Sequence, residues 1–184
     1  MLYPITINEK HEEDNDLIPI INEKKEIIGF EKKEIIHKKG LLHKAVSIFI
    51  FNMKNHLMLQ KRSEKKNHSS LLWTNTCCSH PIKNEPVINA AHRCLINEMG
   101  FDCFLEQKFC FIYNNSFNNG LIENELDYVF VGYYNKFPII NSEEVNNWKW
   151  ISWDSLIKSI KSHPNIYTVW LKIIIKNHFK KLFK

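Results

Sequence analysis

Apolar positions fall into short runs whose spacing switches between two periods along the chain. Leu17–Ile21 and Glu26–Glu31 read as two strands about a polar turn, a hairpin. His37 and His43 flank Lys38-Lys39-Gly40, which reads as a loop-like bridge. Ala45–Phe51 is a strongly apolar strand, Asn52–Asn55 a turn and Leu57–Gln60 its partner. A polar, basic loop follows at Lys61–Ser70 and leads into Trp73–Pro81. The clearest helix is Pro86–Met99. Val87, Ile88, Ala91, Leu95 and Met99 make its apolar stripe, Asn84 or Glu85 is positioned to cap it, and Gly100 suits its end.

Further on, Lys108–Asn114 and Leu121–Tyr134 read as strands about a turn at Asn115–Gly120. Trp148–Ser152 is another strand, Trp153–Ile160 a helix, and Ile166–Leu182 a last helix with Trp170, Ile173, Ile174 and Phe179 inward. Mixed strands with a central helix and a helical end give one α/β (α+β) domain over 17–184, after a polar leader at 1–16. The 184-residue length accommodates a sizeable single core.

The net charge of +5 is local. Residues 172–184 carry five lysines and no acid, and the remaining chain balances at 20 basic and 20 acidic residues. That argues against a nucleic-acid partner, which wants a basic face. No run approaches the roughly 18 apolar residues of a membrane span, so no membrane insertion is expected. The start of the chain lacks the pattern of a signal peptide. Five cysteines, an odd number, favour free thiols and a cytoplasmic location. Oligomeric state is not legible. Lysine is abundant, yet Arg62 and Arg93 are the only arginines, which marks them for tasks such as a bidentate grip on phosphate.

Several residues could carry chemistry. In an extended segment Cys78 and His80 point to one side, and Pro81 biases His80 towards that conformation. Glu123-Asn124-Glu125 puts two carboxylates on one face of an otherwise core-like strand; a solvated face is the plainer reading. Three histidines (His37, His43, His80) with these acids suit a borderline divalent ion such as Zn²⁺ or Mn²⁺. Lys33, Arg62, Lys66 and Arg93 could clamp a diphosphate, against the alternative of a solvated basic loop. Trp73, Tyr113 and Trp170 are by default core residues, but aromatic faces also stabilise cations.

These segments together resemble type I isopentenyl diphosphate isomerase, a metal-dependent enzyme on a Nudix-like fold. The resemblance runs from about Leu17 to Trp170. It is carried by His37…Leu42-His43-Lys44-Ala45, Leu59-Gln60-Lys61-Arg62, Trp73-Thr74-Asn75…Cys78-Ser79-His80-Pro81, Ala91-His92-Arg93…Asn97-Glu98-Met99-Gly100, Glu123-Asn124-Glu125 and Glu143-Glu144-Val145. It implies that His37, His43, His80, Glu123 and Glu125 bind one Zn²⁺ or Mn²⁺. Glu98 and the backbone carbonyl of Cys78 would hold a Mg²⁺ that bridges the diphosphate. Lys33, Arg62 and Lys66 would grip that diphosphate. Cys78 and Glu125 would be the acid/base pair, with Tyr113 beside Glu125 and Trp170 over the carbocation. Glu125 and Tyr113 are assigned the protonating side and Cys78 the other. Arg93 and Trp73 are further candidates at the site.

The chain departs from the family pattern at Ser69-Ser70-Leu71-Leu72, where a Pro-Gly turn is usual, and at Ser79, Cys94 and Thr168-Val169. A Nudix diphosphate hydrolase is the nearest rival. Aligned on Gly100, its motif meets Ser79, Glu85, Arg93, Cys94, Asn97 and Glu98, so two of its carboxylates are replaced by Cys94 and Asn97. A hydrolase needs several acids to gather Mg²⁺, which disfavours hydrolysis. A non-catalytic binding module, or a drifted relative of the isomerases, would leave Cys78 and the His/Glu set without a task. By strand alternation, Cys77 should point away from Cys78, into the core.

Overall fold

A computed structural model of the chain describes residues 16–183; the leader expected at 1–16 falls almost wholly outside this range. Described in chain order, the elements are β1 (Leu17–Ile21), β2 (Ile27–Lys32), α1 (Lys33–Lys39), β3 (His43–Phe51), β4 (Leu57–Arg62), β5 (Trp73–Thr74), β6 (Cys77–Ser79), α2 (Val87–Met99), β7 (Leu105–Ser116), β8 (Ile122–Tyr133), β9 (Val145–Ile151), α3 (Trp153–Ser162) and α4 (Val169–Ile173).

The uninterrupted apolar strand β3 is the hub. It pairs with β1, β4 and β6 antiparallel and with β8 parallel, and β8 and β4 then recruit β7 and β9 as antiparallel neighbours. Seven consecutive residues of β3, Ala45–Phe51, are buried, as expected for a strand covered on both faces. Alternate side chains feed two cores. Val46, Ile48 and Ile50 pack with Cys77 and with Ala91, Leu95 and Met99 of α2. Phe49 and Phe51 pack with Val129, Val131, Leu156 and Leu171 on the opposite face. Cys77 therefore points into the core, as alternation along β6 requires.

Three local expectations are corrected. The segment before Gly40 is a helical turn, α1, in which Ile36 and His37 are buried and Gly40 closes the end in the left-handed conformation. The polar composition of Lys33–Lys39 hides this helix, because only two of its seven residues face inward. Neither Asn84 nor Glu85 caps α2. Pro86 occupies the N-cap with no side-chain bond, and the Glu85 carboxylate instead accepts from Ile82 N–H and Arg93. The last helix begins later than expected, at Val169 after a separate 3₁₀ turn (Pro164–Ile166), and runs on without a gap while its pitch widens to a π turn (Ile174–His178) and tightens to a 3₁₀ turn (Phe179–Phe183). Where a Pro-Gly turn is usual, Ser69 and Leu71 adopt positive φ (51° and 59°). L-residues take that conformation at a cost of about 1–2 kcal/mol each.

Gly100 ends α2 at φ 71°, and a Cβ there would collide with the Ile139 carbonyl. Among the described residues no helix is long and apolar enough to cross a membrane.

Candidate active site

Strand registers gather the site. His43 lies opposite Glu125 across the β3–β8 pair, and Tyr113 lies opposite Glu125 across β7–β8. Ser47 lies opposite Cys78 across β3–β6. The i, i+2 alternation of β8 sends Glu123, Glu125 and Asp127 inward together. His37 arrives from α1, and its ring centroid is 5.2 Å from that of His43 and 5.3 Å from that of His80.

The candidate donor atoms of His37, His43, His80, Glu123 and Glu125 all lie within 4.8 Å of one another. His80 Nε2 sits 2.9 Å from Glu125 Oε1, while His43 Nε2 is 3.6 Å from the same oxygen, too long for a hydrogen bond. His37 Nε2, His43 Nε2 and Glu123 Oε2 are buried with no hydrogen-bond partner. Buried polar atoms are ordinarily paired, so three converging orphans, two imidazole nitrogens and a carboxylate oxygen, form a donor set able to bind a metal ion. Burial pushes the His37 imidazole down to about 3, with its histidine neighbours adding to this against Glu123. Burial likewise holds His80 well below the usual range. Burial would raise the Glu125 carboxyl, but the positive charge of the adjacent His43, together with Glu123 and the Tyr113 hydroxyl, outweighs it and brings it to about 2. Neutral His37 and His80 beside an ionised carboxylate suit a cation; burial would lower His43 as well, but Glu125 and the Leu41 carbonyl outweigh it and raise it, so a cation would have to displace its proton.

The thiol side is built on Asn75. Its Oδ1 accepts from Cys78 Sγ (3.2 Å), Trp170 Nε1 (3.2 Å) and Thr74 Oγ1 (2.9 Å). Its Nδ2 donates to the carbonyls of Ile48 and Cys77. One buried amide thereby fixes the thiol and the indole together. Thr168 anchors the Trp170 segment by bonding Thr74 through its hydroxyl and Trp73 through its N–H. Ser47 Oγ lies 3.6 Å from Cys78 Sγ and donates to Asp127 Oδ2 at 2.7 Å. Burial, reinforced by the Asp127 charge, raises the Cys78 thiol far above neutrality. Burial and the Glu125 charge raise Asp127 well above the carboxylate range. On the facing strand, Tyr113 OH donates to Glu125 Oε2 at 2.6 Å.

A small cavity of about 40 Å³ is lined by Cys78, Tyr113, Glu123, Glu125, His80 and Trp170, with Lys33, Arg62 and Lys66 on the same walls. Arg62 holds the carbonyls of His68 and Ser69 and lies 5.2 Å over the Trp170 ring. The Lys66 ammonium bridges Glu98 and Glu144. Glu98 is buried, accepts from Gln60 Nε2 at 2.8 Å, and shares an adjoining cavity of about 310 Å³ with Cys78, Lys33 and Lys66.

Two candidates are placed differently. Arg93 stands at the wall of the Glu98 cavity, but its guanidinium grips both oxygens of Glu85 and the His80 carbonyl. Trp73 does not line the thiol cavity; it packs against the Phe49–Leu171 core, with Lys149 4.0 Å over its ring. Sequence reasoning assigned no task to His68, Asn75, Ser47 or Asp127. His68 Nε2 is 2.9 Å from Glu123 Oε1. Asp127 was legible as the continuation of the inward Glu123, Glu125 alternation; His68, one of nine histidines in a polar loop, carried no such signal.

The NUDIX domain family matches residues 41–171. The chain is 47% identical over 161 residues to isopentenyl-diphosphate Delta-isomerase 2 of Photorhabdus laumondii, covering 88% of this chain and 91% of the relative. It is 43% identical over 156 residues to isopentenyl-diphosphate Delta-isomerase 2 of Aromatoleum aromaticum, covering 85% and 82%. In fold it resembles a Deinococcus radiodurans crystal structure (TM-score 0.72, 13% identity, 88% of this chain and 99% of that one). It also resembles a MutT protein from Methanosarcina mazei (TM-score 0.61, 16% identity, 78% and 96%). The thiol, the tyrosine–carboxylate pair and the histidine cluster thus sit on a NUDIX scaffold, in a chain that belongs to the isopentenyl-diphosphate Delta-isomerase family.

Proposed function

We propose that this protein interconverts isopentenyl diphosphate and dimethylallyl diphosphate by proton addition and removal. The observation that carries the reading is the meeting of the Cys78 thiol and the Tyr113–Glu125 pair in one cavity that Trp170 also lines. The substrate's terminal alkene is unactivated. A proton added to the terminal methylene leaves a tertiary carbocation, and loss of a proton from carbon 2 forms the new double bond. Two proton-carrying groups are therefore required.

Glu125, with Tyr113 hydrogen-bonded to it, delivers the proton, and Cys78 removes the other. The roles exchange when the reaction runs in reverse. Burial holds the Cys78 thiol in its protonated form, so Cys78 must first give up that proton to take one from carbon 2. The Trp170 face stabilises the cation, and its indole N–H is tied to the same Asn75 oxygen that positions Cys78.

His37, His43, His80, Glu123 and Glu125 would hold the Zn²⁺ or Mn²⁺; their converging orphan atoms fit such an ion. Glu98 and the Cys78 carbonyl would hold a Mg²⁺, since both residues line one cavity with Lys33 and Lys66. When bound, these ions would supply positive charge that lowers carboxyl pKa values and offsets the charge of the diphosphate. Lys33, Arg62 and Lys66 supply the protein's own positive charge at that end. The five free cysteines support a reducing, cytoplasmic setting.

Deuterium exchange tests both the function and the assignment. Wild-type protein with isopentenyl diphosphate in D₂O should form dimethylallyl diphosphate. Cys78→Ala should still wash deuterium into the terminal methylene without net isomerisation, and Glu125→Gln should lose both. The converse pattern reverses the two roles. Release of inorganic phosphate in place of isomer would refute the reading in favour of hydrolysis. Metal analysis should find one tightly held ion that is lost in His80→Ala.

A further inference from the structure

A second group of ligand-type side chains lies outside the His/Glu set. Cys94 and Glu98 are four residues apart on α2, so they stack on one helix face. Cys77 comes across from β6, pointing away from Cys78. The Cys77 and Cys94 sulfurs and a Glu98 carboxylate oxygen all lie within 4.8 Å of one another. All three residues are buried, at 0%, 2% and 6% exposure.

We propose that Cys77, Cys94 and Glu98 form a second, thiophilic metal site for a soft or borderline divalent ion such as Cd²⁺ or Zn²⁺. Filling it withdraws Glu98 from the diphosphate end of the active site; this consequence rests on the role given to Glu98 above. A tetrahedral ion with sulfur at about 2.3 Å and oxygen at about 2.1 Å sets its ligand atoms roughly 3.5–3.8 Å apart. The observed cluster, with its atoms within 4.8 Å of one another, reaches that spacing by a contraction of at most about 1.3 Å. Two sulfurs and one oxygen select against Mg²⁺, which takes oxygen ligands in octahedral array.

The NUDIX hydrolase pattern puts a carboxylate at position 94. The thiol here replaces a hard donor with a soft one. Cys94 and Glu98 border the cavity of about 310 Å³, which provides a route of entry and room for a solvent ligand. Ion binding displaces the two thiol protons to solvent and involves no oxidation. The cluster shares no residue with the His/Glu site, so the two can be filled separately.

The test is titration of the intact protein with Cd²⁺ alone, read by ultraviolet cadmium–thiolate charge-transfer absorbance, which the sulfur-free His/Glu site cannot produce. A saturable band should appear in wild-type protein and persist in His80→Ala and Cys78→Ala. It should vanish in Cys94→Val, with a thermal melt confirming the fold. Glu98→Gln, which leaves both thiols, should keep the band and weaken cadmium affinity about tenfold or more. No band in the wild type, or a band that survives Cys94→Val and disappears in Cys78→Ala, overturns the site. A band with no loss of isomerase turnover leaves the site standing and overturns its effect through Glu98. Loss of turnover that Cys94→Val prevents supports both.

Discussion

Replacing Arg93 distinguishes a structural strut from a substrate ligand. Its Nε and Nη2 donate to the two oxygens of Glu85, each at 2.8 Å, and Nη2 also donates to the His80 carbonyl at 2.9 Å. The side chain is 35% exposed and that of Glu85 13%. Hydrogen bonds to charged groups contribute about 1.5–3 kcal/mol each when well buried. Solvent screening and non-additivity bring the three together to about 2–3 kcal/mol for Arg93→Ala. For a chain of this size that is a fall in Tm of about 4–12 °C. Lysine keeps the charge but not the fork, so Arg93→Lys should recover only part of the loss.

The pH dependence has a definite sign. Burial raises the Glu85 carboxyl, but the Arg93 and Ile82 donors outweigh it and leave it below its ordinary 4.5. The stabilisation is therefore fully present above pH 4.5 and is lost as pH falls through the lower folded value. Differential scanning calorimetry of wild type and Arg93→Ala should show the Tm gap close on acidification. Unchanged Tm with a raised KM for the diphosphate substrate would refute the strut and make Arg93 a substrate ligand.

Tyr113→Phe removes a 2.6 Å bond to a buried carboxylate; a loss of about 1.5–3 kcal/mol corresponds to a kcat about 10–150-fold lower with KM little changed, measured by steady-state kinetics. Asp127→Asn should not lower stability at pH 8. The native fold holds the Asp127 carboxyl well above its ordinary value, so ionisation weakens the fold as pH rises, and the amide escapes that penalty. Urea unfolding of the two proteins across pH checks the sign. Leu95→Ala, at a position with no exposure where α2 meets β3, should cost about 2–5 kcal/mol in the same assay, with little change in metal content.

The sequence by itself determined most of the strands, helix α2 and the identity of the ligand-type residues, because period-two and helical spacing report directly on which side chains must leave water. The i, i+2 spacing of Glu123 and Glu125 and the opposed directions of Cys77 and Cys78 follow from backbone geometry alone. Local pattern failed where its signal was weak: α1 buries only Ile36 and His37, and the last helix starts only at Val169 and changes pitch along its length.

Tertiary structure alone decided which groups meet. The parallel register of β3 and β8 sets His43 beside Glu125, and the β3–β6 register sets Ser47 beside Cys78. Pairing between distant strands has no local sequence code; it is fixed by the two cores that close on both faces of β3. The same long-range packing turned Arg93 towards Glu85 and His80, placed the half-buried Trp73 away from the thiol cavity, and brought Cys77 to Cys94 and Glu98. A residue's type announces what chemistry it could perform, but its partner is set by the packing of elements far apart in the chain.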